Sequence, residues 1–336
     1  MGSGEPPLRD GRDAEGRRPG ASGVVALFGP TGTGKTDLAC EIADRIPCRL
    51  ISCDAVQVYR ELLIATAKPQ CSQKRHPWAL VDVADPRTDF DLGRWVLAAE
   101  AEVARAAAEG RVPLVVGGTG LYLRGLLKGV AEASPRDPAL RRRLEGLAAR
   151  RGAAFLHRVL TRLDPAGAGR LMPNDRQRLV RALEVVLGTG RPLSALHGWR
   201  WRGPDRFPVL RFGLSLPREE LCARLDVRVE TFFRDGLIDE VRWLIEERRL
   251  RPDANALKAI GYREVARWLL ESQPWPAVPD PPRELIALVQ RNTRRYAKRQ
   301  MTWFRKEQPA RWLDPRSADI AEIVEEIREF RSRFAS

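Results

Sequence analysis

The chain of 336 residues has no long apolar run, and this absence excludes membrane-spanning proteins. A membrane-spanning helix needs about 18 or more consecutive apolar residues, and no stretch approaches that length. Histidine occurs only three times, and the five cysteines never show the C-x-x-C spacing of zinc and redox sites. Residues 1–22 contain few apolar side chains and lack the apolar centre of a secretory signal, which predicts a disordered leader. We expect a cytoplasmic protein without a membrane span, disulfides or a zinc centre.

Acidic residues are too few to balance the basic ones. The sequence contains 44 Asp and Glu against 58 Lys and Arg, a formal net charge of +14. Residues 135–211 contain 17 arginines, no lysine and six acids, and residues 283–306 contain eight basic residues and one acid. Such concentrated, arginine-rich charge is typical of surfaces that bind nucleic-acid phosphates, with a merely solvated basic surface as the alternative.

The stretch GPTGTGKT matches the phosphate-loop pattern G-x-x-x-x-G-K-[ST]. It follows Val24–Phe28, which reads as a buried strand, and precedes Leu38 and Ile42, which fit one face of a helix. Backbone N–H groups at the helix N-terminus would bind a diphosphate or triphosphate, with Lys35 on the outer phosphate and the Thr36 hydroxyl on Mg²⁺. The predicted phosphate-binding residues are Gly29, Pro30, Thr31, Gly32, Thr33, Gly34, Lys35 and Thr36.

Strands alternate with helices along much of the chain, which predicts an α/β fold with a doubly wound parallel sheet. Residues 135–202 read instead as an inserted, basic, all-helical subdomain. The core then consists of residues 23–134 and 203–336. Predicted elements after the loop helix are a strand ending near Ser52, a helix over 92–109, strands over 112–117 and 209–216, helices over 218–249 and 259–270, and a long helix from about Glu284.

Two polar residues follow predicted strands. Because ligands of parallel sheets bind outside the carboxyl ends of the strands, Asp54 and Thr119 should both face the phosphate loop. The strand before Thr119 ends in two glycines, without the carboxylate that many phosphate-loop enzymes place there. Asp54 is therefore the candidate general base, and nearby cations should keep it ionised. A ligand of metal-bound water or a helix cap is the alternative role for Asp54.

Six segments occur in the order and approximate spacing of bacterial tRNA dimethylallyltransferases: GPTGTGKT, LISCDAVQVYRELLIATAKP, VGGTGLYLRGLL, NDRQRLVRALEV, AIGYRE and TRRYAKRQMTWFR. The sequence resembles this family from Val24 to Leu313. The resemblance implies that dimethylallyl diphosphate prenylates N6 of adenosine 37 in tRNA, with Mg²⁺ required and diphosphate released. It also implies that Asp54 is the base, that Thr119 lies between the reacting groups and that Arg228 binds the diphosphate.

The resemblance further implies contacts with the anticodon stem-loop of tRNA. The residues it implies are Asp54, Ala55, Val56, Gln57, Thr119, Arg141, Gln177, Arg178, Leu179, Val180, Arg181, Lys258, Gly261, Tyr262, Arg263, Arg291, Arg294, Arg295, Lys298 and Arg299. On the long C-terminal helix the basic residues share one face, and Tyr296 and Trp303 lie opposite. Alternative functions are a kinase of a small metabolite, a nucleotide-switched RNA-binding protein and a prenyltransferase of free adenine nucleotides. A monomer is expected.

Overall fold

The computed structural model describes residues 23–69, 75–130, 137–196, 204–272 and 281–334. The predicted leader, residues 1–22, lies outside these ranges. The chain divides into two compact units, which we call the core unit (residues 1–127 and 205–336) and the insert unit (residues 128–204). The insert unit begins before and ends after residues 135–202, the range expected from the change in composition.

The core unit contains a six-stranded sheet with the order β3-β2-β4-β1-β5-β6. The strands are β1 (Val24–Phe28), β2 (Cys48–Ser52), β3 (Trp78–Ala79), β4 (Val112–Gly117), β5 (Val209–Leu214) and β6 (Arg311–Leu313). Every pairing between these strands is parallel, which confirms the predicted α/β class. Sequence analysis misses β3 and β6, because strands this short show no periodicity.

Helices of the core unit cover both faces of its sheet. In chain order, the helices of the two units are α1 (Lys35–Ala43), α2 (Leu92–Ala108), α3 (Gly120–Lys128), α4 (Pro138–Arg151), α5 (Ala153–Leu163), α6 (Pro165–Ala168), α7 (Arg176–Thr189), α8 (Arg218–Arg234), α9 (Leu237–Glu246), α10 (Tyr262–Glu271), α11 (Arg283–Phe304) and α12 (Ile320–Ser332). In β1, Val24 and Phe28 pack into the core on one face, and Val25 and Leu27 into the core on the other. A strand buried on both faces explains the uninterrupted apolar run. None of the described helices has the length and apolar character needed to cross a bilayer.

The carboxyl ends of the central strands meet at one edge of the sheet. Phe28 of β1 pairs with Gly117 of β4, and Ser52 of β2 pairs with Val116 of β4. The segments that follow β1, β2 and β4 therefore start side by side. These segments hold the phosphate loop and the two predicted polar site residues.

Two helix boundaries differ from the sequence prediction. The helical region expected over 218–249 is divided at Gly236, which has a φ of 94° and separates α8 from α9. A left-handed glycine ends a helix more readily than any other residue. α10 begins at Tyr262 rather than at Ala259, and the Glu264 side chain accepts a hydrogen bond from the Gly261 N–H at 2.8 Å there.

The insert unit is helical, as predicted, and has its own apolar core. Leu144 of α4, Leu160 of α5 and Leu183 of α7 are among its buried residues. Between α5 and α7 the chain forms the short helix α6, with Pro165 as its first residue. The carboxylate of Asp164 caps this helix by accepting a hydrogen bond from the Gly167 N–H at 2.8 Å.

Candidate active site

The phosphate loop connects β1 to α1. Gly32 and Gly34 have φ angles of 84° and 79°, which residues with a side chain rarely adopt. α1 starts at Lys35, so the N–H groups of its first turn have no intrahelical acceptor and can bind an anion. The Lys35 ammonium donates to the Pro30 carbonyl at 2.6 Å, and the Thr33 hydroxyl donates to the same carbonyl at 2.9 Å. These bonds hold the lysine head group against the loop.

Asp54 lies two residues after β2, in a turn that its own side chain closes. Its Oδ1 accepts hydrogen bonds from the N–H groups of Val56 at 2.8 Å and Gln57 at 3.2 Å. The Gln57 side chain is held by Ser52, whose hydroxyl donates to Oε1 at 2.8 Å. Ala55, Val56 and Gln57 are half-buried in this turn. No helix starts at this turn, so Asp54 is not the helix cap of the alternative interpretation. Only its Oδ1 closes the turn, and its Oδ2 has no hydrogen-bond partner among the described residues.

Lys35, Asp54 and Arg228 act on one another electrostatically. Burial lowers the pKa of Lys35 to about 8, against the opposing charge of Asp54. Burial also lowers the pKa of Arg228. The pKa of Asp54 is raised, because desolvation outweighs its two backbone hydrogen bonds and the charges of Lys35 and Arg228. Lys35 and Arg228 thus oppose the rise in the pKa of Asp54 without cancelling it, and a raised pKa suits a proton acceptor.

Thr119 follows β4 and contacts the turn of Asp54. Its Oγ1 accepts a hydrogen bond from the Ala55 N–H at 3.1 Å. Its own N–H donates to the Cys53 carbonyl at 3.1 Å. The end of β4 and the end of β2 are joined in this way, so the geometric argument from strand ends places Thr119 and Asp54 together.

Arg228 reaches the same place from α8. Its Nη1 lies 3.5 Å from the Thr31 hydroxyl of the phosphate loop. Its guanidinium carbon lies 5.3 Å from the centre of the Phe232 ring, within the range of a cation–π contact. Arg228 thus contacts the phosphate loop, Asp54 interacts electrostatically with Lys35 of that loop, and Thr119 contacts the turn of Asp54.

Two further polar side chains of the site are absent from the sequence prediction, Tyr296 and Gln300 of α11. The Tyr296 hydroxyl is hydrogen-bonded to Thr119, and burial raises the pKa of this phenol. The Gln300 side chain bonds the backbone of Thr31 through its oxygen and that of Gly118 through its nitrogen. The sequence contains a signal for both: Gln300 lies four positions after Tyr296, so both lie on the face of α11 that also packs into the core.

Most basic residues predicted to contact tRNA in the core unit lie at the surface. Arg294 is the exception, since it is half-buried and forms an ion pair with Asp226 of α8. This pair neutralises much of the charge that Arg294 was expected to offer. The exposed members of the set are Lys258, Arg263, Arg291, Arg295, Lys298 and Arg299.

Some predicted tRNA contacts have buried side chains. Tyr262 is fully buried, and its hydroxyl donates to Glu240 at 2.6 Å. Leu179 and Val180 belong to the apolar core of the insert unit. Gly261 is also buried, directly before α10. The side chains of Tyr262, Leu179 and Val180 therefore serve the packing of the protein and are not available for contacts with RNA.

In the insert unit a buried acid organises two predicted contacts. Glu184 of α7 is 2% exposed, and its Oε2 lies 2.9 Å from Arg181 Nη1 and 3.6 Å from Arg141 Nη1. The charges of Arg141 and Arg181 are therefore partly satisfied within the unit. Gln177 and Arg178, on the first turn of α7, are exposed.

A basic groove on α4 is absent from the sequence prediction. Arg142, Arg143 and Arg150 are exposed and have no acidic partner among the residues that the structure describes. Their spacing places Arg143 and Arg150 on one helix face with Arg142 beside them. The groove is lined by Ala139, Arg142, Arg143, Gly146, Leu147 and Arg150. The arginines of this groove are better suited to bind nucleic-acid phosphates than Arg141, because the charge of Arg141 is partly satisfied by acidic residues.

The chain is similar over most of its length to proteins of known family. The family model described as IPP transferase matches residues 57–307, and that of isopentenyl transferase matches residues 22–75. tRNA dimethylallyltransferase 1 of Citrifermentans bemidjiense is 41% identical over 308 residues, covering 91% of this chain and 96% of the relative. The tRNA dimethylallyltransferase of Symbiobacterium thermophilum is 41% identical over 313 residues, covering 91% and 95%. The crystal structure of the full-length tRNA isopentenylpyrophosphate transferase of Bacillus halodurans superposes with a TM-score of 0.67 at 32% identity, covering 94% of this chain and 98% of that one.

Proposed function

Because the chain belongs to the family of tRNA dimethylallyltransferases, we propose that it transfers a dimethylallyl group from dimethylallyl diphosphate to N6 of adenosine 37 in tRNA. The chain is an enzyme that prenylates tRNA; the donor and the modified atom are the proposal. Its main support is the convergence of the phosphate loop, Lys35 and Arg228 on a single carboxylate, Asp54. The kinase alternative is not favoured, because the family carries out prenyl transfer.

The reaction requires one bond to form and one to break. The lone pair of N6 attacks C1 of the donor while the C1–O bond breaks and diphosphate departs. Loop N–H groups, Lys35 and Arg228 stabilise the negative charge that develops on the diphosphate. Asp54 accepts the proton that N6 loses, through the Oδ2 atom that its turn does not use. Thr119, whose Oγ1 accepts the Ala55 N–H at 3.1 Å, would orient the adenine amine.

We infer that magnesium binds together with the diphosphate. The described residues contain no cluster of three or more His, Cys, Asp or Glu side chains that would hold a metal by themselves. Mg²⁺ commonly takes one or two protein ligands and fills its shell with water and substrate oxygens, which fits the Thr36 hydroxyl at the start of α1. Bound there, the ion would supply positive charge to the departing diphosphate.

We infer that the tRNA substrate is held chiefly by exposed cations. The set comprises Arg291, Arg295, Lys298 and Arg299 of α11 and, in the insert unit, Arg178 with the arginines of the α4 groove. The target adenine must leave its stack to reach Asp54, as in other enzymes that modify bases. The anticodon stem-loop as the bound region, the monomeric state and the cytoplasmic location stay predictions.

Nucleoside mass analysis tests the proposal. The protein is incubated with Mg²⁺, dimethylallyl diphosphate and an unmodified tRNA that carries adenosine 37, and the tRNA is then digested. We expect one adenosine per tRNA to gain a dimethylallyl group, and a tRNA with guanosine at position 37 to gain none. Transfer of label from γ-labelled ATP, or prenylation of free AMP instead of tRNA, would contradict the proposal.

A further inference from the structure

Gln300 of α11 joins two loops of the site that are far apart in sequence. Its Oε1 accepts a hydrogen bond from the Thr31 N–H at 3.0 Å, and its Nε2 donates to the Gly118 carbonyl at 2.8 Å. The residue is 5% exposed. Thr31 belongs to the phosphate loop, and Gly118 directly precedes Thr119. A primary amide can satisfy a donor on one loop and an acceptor on the other at the same time.

These two bonds are the centre of a longer hydrogen-bonded chain. On the diphosphate side, Arg228 Nη1 lies 3.5 Å from the hydroxyl of Thr31. On the acceptor side, Thr119 Oγ1 accepts the N–H of the residue after Asp54 at 3.1 Å. This series of contacts connects Arg228, the proposed ligand of the diphosphate, with the turn that holds Asp54, the proposed base. Gln300 makes the contact that joins the two loops.

The packing of α11 fixes the position of this amide. A Cβ at Gly118 would lie 2.3 Å from Gln300 Nε2, so this glycine provides the space for the side chain. Four residues further along α11, Phe304 stacks on Phe28 of β1 with ring centroids 4.8 Å apart. The amide is therefore held by a helix that is anchored on the central strand of the sheet.

We propose that Gln300 is a positioning residue for prenyl transfer, which sets the separation between the phosphate loop and the acceptor side of the site at Thr119 and Asp54. The inference rests on the proposed function. Gln300 acts through the backbone of other residues, so its loss should disturb alignment more than binding. Since a misplacement of about 1 Å can reduce a rate by on the order of 100-fold, we expect a fall in kcat with little change in KM.

The test compares Gln300→Met with Gln290→Met. Methionine is close to glutamine in length but cannot make the two hydrogen bonds. Gln290 is a matched control, because it lies on the same helix and its Nε2 donates to the Asp226 carbonyl at 3.3 Å. Steady-state kinetics should show kcat about 10- to 100-fold lower for Gln300→Met, with both KM values within about threefold, and a control within about twofold of wild type.

The outcomes separate the two proposals. If the wild type prenylates tRNA and Gln300→Met keeps its kcat, or changes only KM, the positioning role is overturned and the proposed function stands. A wild type without prenylation would overturn the proposed function and this inference with it. Circular dichroism and thermal melting accompany the kinetics, and if Gln300→Met does not fold, the next variant decides the question.

Gln300→Glu provides a readout that depends on pH. Its carboxylate can accept from the Thr31 N–H but cannot donate to the Gly118 carbonyl, whereas the protonated carboxyl can do both. The kcat of this variant relative to wild type should therefore rise as the pH falls. A ratio that is independent of pH would contradict the proposal, because a general structural defect has no reason to follow protonation at this position.

Discussion

Exchanging Asp54 for asparagine removes the proposed base and leaves the turn intact. The asparagine Oδ1 can still accept the N–H groups of Val56 and Gln57, which lie 2.8 and 3.2 Å from Asp54 Oδ1. The charge and the proton acceptor at Oδ2 are lost. General-base catalysis typically contributes a factor of about 100 to 10,000, so we expect kcat to fall at least about 100-fold, or about 2.7 kcal/mol of activation free energy.

Binding should respond differently from turnover in this variant. Asp54 is the negative charge that faces Lys35 and Arg228, so its removal leaves two cations free to attract the diphosphate. We therefore expect the Kd for diphosphate at pH 6.5 to stay equal or to fall. The affinity for tRNA should also persist, because exposed cations rather than Asp54 supply most phosphate contacts.

Single-turnover incorporation of labelled dimethylallyl into tRNA measures the chemical step, and filter retention of tRNA measures binding. Asp235→Asn is the control, since this exposed carboxylate lies at the end of α8, outside the site. A single-turnover rate within twofold of wild type would remove Asp54 from its role. A parallel loss of tRNA binding would assign the defect to binding and refute the reasoning above.

Three further outcomes follow from the charges of the site and the insert unit. The kcat/KM should fall as the pH rises through about 8, because Lys35 then loses its charge in the free enzyme. It should also fall at acid pH, because Asp54 then takes up a proton. An alkaline profile that stays flat to pH 9.5 would contradict the role of Lys35. Changing Arg142 and Arg150 together to Gln should reduce the slope of log affinity for tRNA against log salt by about 2, while the same change at exposed Arg162 leaves it unaltered; equal slopes would exclude the α4 groove from binding. Thr36→Ala should raise the Mg²⁺ concentration for half-maximal activity about tenfold, and an unchanged titration would exclude the hydroxyl as a ligand.

Local signals predicted the part of the site that is continuous in sequence. The loop between β1 and α1 requires glycines, a lysine and a helix start within eight residues, and all are visible in the sequence. Asp54 and Thr119 are separated by 65 positions, but parallel strands bring both to one edge of the sheet. The rule that ligands bind outside the carboxyl ends of parallel strands therefore groups the two residues without knowledge of their contacts. The direction of the Asp54 pKa shift was not accessible in this way, since it depends on how much water the folded site excludes.

Long-range contacts set the rest of the site, and composition alone does not encode them. Gln300 bonds a residue 269 positions away, and the helical spacing that places it on the packed face of α11 does not reveal this partner. Arg141 reads as a free cation until the fold brings it to the buried Glu184. Likewise Tyr262 reads as an exposed recognition residue, but the packing of α10 buries it against Glu240.

The desolvation that shifts the three pKa values also prepares the site for its donor. Burial disfavours the charged forms of Lys35, Arg228 and Asp54 alike. A diphosphate in the loop brings several negative charges, which should raise the pKa of Lys35 and also that of Asp54. Both effects favour the reaction, because a protonated lysine stabilises the leaving group and a carboxylate of higher pKa takes a proton more readily. The bound donor thus makes Asp54 a stronger base for the adenine that arrives beside it.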